Sequence, residues 1–246
     1  MEKMRSRNEL RFALAWITLY VVGMSLADGV SERIGVMKSV TLPVCVALSA
    51  ILFIWVRRNG LQAYYGLELP KGMKGRGYLY FIPLVILATS NLWNGVTFRF
   101  GKVETALYVI SMCCVGFLEE TIFRGLLFRA LAKKSVKQAV VISSLTFGMG
   151  HAVNLLSGAE LLPTMLQMIY ATAIGYLFTQ IGLKAGNLLP CIFTHAAINA
   201  LSAFAVKGSD ISHIISSAAL ILISVLYSAY LTRVPASSLY DEGSSS

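Results

Sequence analysis

TALYVISMCCVGFLEETIFRGLLFRA, residues 105–130, is too apolar for the surface helix of a soluble protein and too charged for an ordinary membrane span. Crossing about 30 Å of hydrocarbon takes roughly 20 helical residues, so the run is long enough to cross. Near its middle stand Glu119, Glu120 and Arg124. An ionised side chain at mid-helix costs roughly 2.5–3.5 kcal/mol on insertion scales. A helix that keeps three of them sets them against one another or against groups on neighbouring helices. Glu120 and Arg124 are four residues apart, so they share a helix face and pair. Glu119 points about 100° away and is left outside that pair.

The rest of the chain makes the same case for a bilayer. Hydrophobic residues are 56% of the 246 and charged residues only 13%, against about 25% charged in average globular usage. A soluble fold of this size has nowhere to hide so much apolar surface, whereas lipid solvates it from outside. Eight apolar runs follow one another at about 12–30, 38–56, 78–96, 105–130, 137–154, 162–182, 188–206 and 211–232. The fifth and seventh are short and interrupted by polar residues. The expected fold is an all-α, polytopic membrane helix bundle of about eight transmembrane helices.

Positive charge orients such a bundle. The net charge of +9 lies between the apolar runs, which makes it a topology signal and not a nucleic-acid footprint. With the N-terminus in the cytoplasm, fifteen Lys and Arg fall in cytoplasmic segments (Lys3 to Arg11, Arg57 to Arg76, Arg129 to Lys137, Lys184 and Arg233). Only Arg33, Lys38, Arg99, Lys102 and Lys207 fall on the other side. Both termini are then cytoplasmic. The expected organisation is one integral membrane domain over 1–234, with its motif core at 105–206 and a Ser-rich, disordered cytoplasmic tail at 235–246. The longest polar break, Arg57 to Gly77, reads as a cytoplasmic loop with a short interfacial piece around Leu61–Leu67. Cys45, Cys113, Cys114 and Cys191 all lie in apolar runs, without zinc or disulfide spacing. The first run reads as a retained span, not a cleaved signal peptide.

Ionisable and amide side chains recur on two further spans. His151 stands on the fifth, four residues after Phe147, and His195 and Asn199 stand on the seventh, again four residues apart. This spacing puts each pair on one helix face, so three helices can turn polar groups toward a single pocket. Ion pairing and hydrogen-bonded helix packing account for Glu120 and Arg124 as well as function does. They do not account for Glu119, His151, His195 and Asn199 together. His213, at the start of the last span, has no assigned role.

The order Glu-Glu-x-x-x-Arg at 119–124, Phe-x-x-x-His at 147–151 and His-x-x-x-Asn at 195–199 resembles the CAAX-protease and bacteriocin-processing family (CPBP, or Abi), which includes the eukaryotic Ras-converting CAAX endopeptidases. Gly125, Phe128 and Arg129 also match. The N-terminal third carries no motif. The resemblance implies an intramembrane glutamate endopeptidase acting on a membrane-associated peptide or lipidated protein. In it Glu119 would be the general base for a water, and His151 would hold that water. His195 and Asn199 would donate to the oxyanion, with Glu120, Arg124 and Phe147 in support.

These residue types suit the task, because peptide hydrolysis needs a proton acceptor beside the water and donors where negative charge develops. No cofactor is expected. The rival with zinc on Glu119, His151 and His195 lacks a His-Glu-x-x-His motif. A Cys191–His195 protease would need a reactive thiol in apolar surroundings. The rival of another class is a non-catalytic immunity protein or scaffold that binds a bacteriocin-like peptide or a sensor kinase. A compact chain with short loops points to a bacterial cytoplasmic membrane, with lipid and a peptide as partners and no nucleic acid. One geometric tension remains. Counted from the cytoplasmic ends of their spans at about 1.5 Å per residue, Glu119 and His195 lie roughly 10–17 Å deep, but His151 lies roughly 21 Å deep.

Overall fold

A computed structural model describes residues 1, 5, 8–68 and 81–233 of the chain; the expected tail at 235–246 lies outside them. The described residues form an all-helical bundle. Its helices are α1 (Glu9–Ile34), α2 (Thr41–Arg58), α3 (Ile82–Ala88), α4 (Lys102–Ala132), α5 (Val136–Gly150), α6 (Leu161–Ala185), α7 (Leu189–Leu201) and α8 (Asp210–Arg233). The α5 helix continues as a 3-10 segment, His151–Ser157, and α7 as a 3-10 turn, Ser202–Phe204.

Capping follows the local sequence. Asn8 accepts from the Arg11 amide at the start of α1 (3.0 Å), and Ser135 accepts from Gln138 at the start of α5 (3.4 Å). Gly35 and Gly186 close α1 and α6 in left-handed conformations, with φ of 76° and 60°. A side chain is disfavoured at such angles.

Among the described residues eight helices of the expected bundle are present, and six of them are long and apolar enough to cross a membrane. The expected span at 78–96 begins in part outside the described residues. Its described part, α3, is seven residues long and ends at Ala88. There the chain bends into a 3-10 turn, and the Asn91 amide donates to the Ile198 carbonyl at 2.6 Å. The seventh expected span is cut short at both ends. Pro190 starts α7 late, Asn187 Oδ1 accepts from the Leu189 amide (2.8 Å), and Ser202 Oγ donates to the Asn199 carbonyl (2.6 Å). These side chains satisfy backbone groups that hydrocarbon cannot.

The apolar surface is distributed as lipid requires. Leu19, Val22 and Leu26 on α1 and Ile215, Leu222 and Leu226 on α8 are all exposed. The two larger apolar clusters hold most of the interior, with a smaller one at Phe128, Ala139 and Val140. The first joins α1, α2 and α4 through Phe12, Trp16, Leu52, Trp55 and Leu118; the second joins α3, α6, α7 and α8 through Leu87, Leu177, Phe178, Cys191 and Leu220. Glycines let helices approach closely at two places. A Cβ on Gly116 would sit 2.7 Å from the Ala196 amide nitrogen, so α4 and α7 meet nearly backbone to backbone. A Cβ on Gly148 would collide with Thr172 of α6.

The two ends of the bundle differ. At one end Lys133 pairs with Glu9 (2.8 Å), Arg129 lies over the Tyr64 ring (4.8 Å) and the Leu188 amide donates to Gly66 (2.7 Å). The segment 61–68 is a run of turns here, with Tyr65 buried. At the other end Lys38 pairs with Asp28 (2.8 Å), Arg99 donates to the Ser202 carbonyl (2.8 Å) and Lys207 pairs with Glu160 (2.7 Å). That last contact lowers the pKa of the Glu160 carboxyl and raises that of the Lys207 ammonium. Of the described Lys and Arg, ten lie at the first end, which is the basic end, and five at the second.

Candidate active site

The first motif sits where α4 changes its winding. Lys102–Glu120 is α-helical, Thr121–Leu127 is a seven-residue π-helix, and Phe128–Ala132 resumes the α form. All seven π-helical residues are buried. Such segments are rare and cluster at functional sites.

Arg124 Nη1 donates to Glu120 Oε1 at 3.0 Å, so the expected pair is present, with both side chains buried. The pair does not stand alone. Glu120 Oε1 also lies 2.8 Å from Nδ1 of His195. A paired, ionised carboxylate can only accept, which puts the proton on Nδ1 and fixes the ring. Glu120 therefore links the first motif to the third.

Glu119 has partners of its own. The Tyr20 hydroxyl of α1 donates to its Oε1 at 2.5 Å, and His195 Nε2 lies 3.6 Å from its Oε2. Glu119 is partly accessible, at 16%, while Glu120 is at 0%. Tyr20 had no motif to announce it. A tyrosine in an apolar run is ordinary, and its partner lies 99 residues away.

Phe147 ties the second motif to the others. Its ring is edge-on to both His151 (5.4 Å) and His195 (5.5 Å), and the Arg124 guanidinium lies 4.0 Å from its centroid. Gly175 makes the room, since a Cβ there would sit 2.9 Å from Arg124 Nη2 and 3.1 Å from Phe147. His151 Nδ1 is 3.1 Å from the Phe147 carbonyl. A carbonyl only accepts, so Nδ1 carries the proton and Nε2 is left as an acceptor.

Glu119, His151, His195 and Asn199 line one cavity of about 360 Å³, with Tyr20 beside them. The depth tension also resolves. The continuous helix α4 runs to Ala132, which places Glu119 about 20 Å from that end, and His151 lies about 22 Å from Val136 at 1.5 Å per residue. His195 stands at the level of Glu119, its Nε2 lying 3.6 Å from Oε2 of that carboxylate.

Among the described residues no three of His, Cys, Asp and Glu converge as ligands for a metal ion. Cys191 is a buried residue of α7, with its Sγ donating to the Phe178 carbonyl of α6 at 3.5 Å. His213 lines no part of the cavity.

Comparison with curated proteins and with solved structures gives no match. The helices that carry the three motifs, residues 101–201, match the family model described as type II CAAX prenyl endopeptidase Rce1-like, and over this stretch the chain is similar to that family.

Proposed function

We propose that this protein is an intramembrane endopeptidase that hydrolyses a peptide bond with a water activated by Glu119. The observation that carries the reading is the convergence of Glu119, His151, His195 and Asn199 on one cavity in an otherwise apolar bundle.

A water between Glu119 and His151 gives one proton to the carboxylate and turns the other toward Nε2 of His151, whose tautomer leaves that nitrogen an acceptor. Its oxygen adds to the scissile carbonyl carbon. His195 Nε2 and the Asn199 amide donate to the oxygen that becomes negative. For Nε2 to donate while Nδ1–H is held by Glu120, the imidazole must carry both protons. Charge supports that state. Two carboxylates, one guanidinium and one imidazolium sum to zero, and a low-dielectric site favours neutrality. The proton taken by Glu119 then passes to the leaving amine as the C–N bond breaks. Glu120 and Arg124 hold His195 in place, and Tyr20 holds Glu119.

Glu119→Gln tests this, because it removes the proton acceptor and keeps the shape. Proteolysis should vanish while membrane abundance stays near wild type, and the wild-type enzyme should survive exhaustive chelation. Activity switched off and on by zinc removal and return would replace Glu119 as base with a metal. A Glu119→Gln variant that supports the full biological phenotype would favour an immunity or scaffold protein instead.

A further inference from the structure

The cavity has a direction. Below Glu119 and His195, toward the basic end, it is closed by Phe123, Phe147 and Phe178, which are 5%, 4% and 0% exposed. Away from the basic end it continues past Tyr108, Asn154 and Gln167 to Asp28, Lys38 and Ser157 at the opposite end of the bundle. None of its lining residues comes from the loops of the basic end at 57–68, 133–135 or 185–188.

Charge says which side of a membrane that opening faces. The basic end holds ten of the described Lys and Arg but only Glu9 and Glu68 as acids. The opposite end holds five Lys and Arg, matched by Asp28, Glu32, Glu104, Glu160 and Asp210. Lys and Arg are retained on the cytoplasmic side during insertion, and acidic residues have little say. The contacts within each end assign the loops to sides independently of any count of spans, so an error in the number of crossings does not invert the result.

We infer that the cavity opens on the face of the membrane away from the cytoplasm, and that its substrate is a peptide segment presented there by an exported or membrane-anchored polypeptide. The lining suits an extended main chain. Asn154 and Gln167 pair with each other (3.0 Å) and Asp28 with Lys38, so the mouth offers amides, hydroxyls and a neutralised ion pair, with no net charge to select an acidic or basic peptide. A lipid-modified C-terminus in the cytoplasm would meet the closed, aromatic floor. The substrate half of this inference rests on the proposed hydrolase, while the direction of the cavity does not.

Two variants, each with one added cysteine, separate these. Ser157→Cys lies at the mouth, and Lys134→Cys lies at the basic end. In intact cells a membrane-impermeant maleimide should label position 157 above the wild-type background set by the exposed Cys113, and position 134 only after permeabilisation. The reverse pattern, or equal labelling of both, overturns the direction whether or not the protein is a protease. Peptides released by wild type and lost in Glu119→Gln should then derive from segments outside the cytoplasm. Peptides lost from cytoplasmic C-termini would overturn the substrate class and leave the hydrolase standing. No lost peptides with position 157 labelled as expected would sink the hydrolase and the substrate assignment, and leave the direction standing.

Discussion

The Tyr20 hydroxyl donates to Oε1 of Glu119, while Oε2 of the same carboxylate faces Nε2 of His195 at 3.6 Å. One oxygen of the carboxylate is thus fixed by α1, and the other is turned toward α7. Glu119 is held in a defined orientation although it lies outside the buried Glu120–Arg124 pair.

Tyr20→Phe should therefore slow hydrolysis without unfolding the protein. A hydrogen bond to a charged group contributes about 1.5–3 kcal/mol, so turnover should fall about 10- to 100-fold while the ring keeps its packing. Peptide release at matched expression measures it. Turnover equal to wild type would remove Tyr20 from the site.

Arg124→Ala should behave as a stability variant as well as an activity variant. It takes the guanidinium from Glu120, which at 0% exposure keeps only His195 as a partner, and removing one partner of a buried pair costs about 3–5 kcal/mol. Thermal unfolding in detergent should show a clear loss. Arg124→Lys keeps the charge but gives up the guanidinium that lies 4.0 Å from the Phe147 ring centroid, so it should fall between Arg124→Ala and wild type. Equal melting of Arg124→Ala and wild type would mean that the pair does not hold the helix.

Gly116→Ala tests the close approach that brings the first and third motifs together. The added methyl would meet the Ala196 backbone at 2.7–2.8 Å, and backbone cannot swing aside. Overpacking costs about 1–3 kcal/mol, and here the displacement falls one turn from Glu119 and Glu120 and next to His195. Activity should drop more than helicity by circular dichroism. Gly23→Ala is the control, since nothing lies within 4 Å of the added Cβ. If the two variants retain equal activity, the contact does not set the site.

Much of this site could be read from the chain, and the unreadable part has physical causes. The Glu120–Arg124 pair is legible because four residues make one helical turn, whatever the tertiary structure. The convergence of Glu119, His151, His195 and Asn199 is legible because polar side chains in apolar spans need one another. The bond from Glu120 to His195 joins two motifs that spacing treats separately, and it depends on how α4 crosses α7. Tyr20 is invisible because a phenol is at home in an apolar run. The expected helical bundle is present, but among the described residues the stretches at 78–96 and 188–206 are not single long helices, because hydropathy counts apolar residues and does not register chain bends capped by Asn91, Asn187 and Ser202.

Asn199→Ala distinguishes a donor from a reagent. If Asn199 serves the oxyanion, its loss raises the barrier but leaves the Glu119 carboxylate, the His151 tautomer and the water untouched. Loss of one such donor typically lowers kcat by about 10²–10³, or roughly 2.7–4 kcal/mol. Residual turnover should therefore be measurable, with KM little changed, because the developing charge exists only in the transition state. Glu119→Gln should leave no turnover above background in the same assay. Thermal stability should separate a third possibility, since the Asn199 main-chain carbonyl that accepts from Ser202 Oγ is unaffected by the substitution. A melting temperature near wild type with kcat reduced is the expected pair of results. An unchanged kcat with raised KM would move Asn199 from the oxyanion to substrate binding.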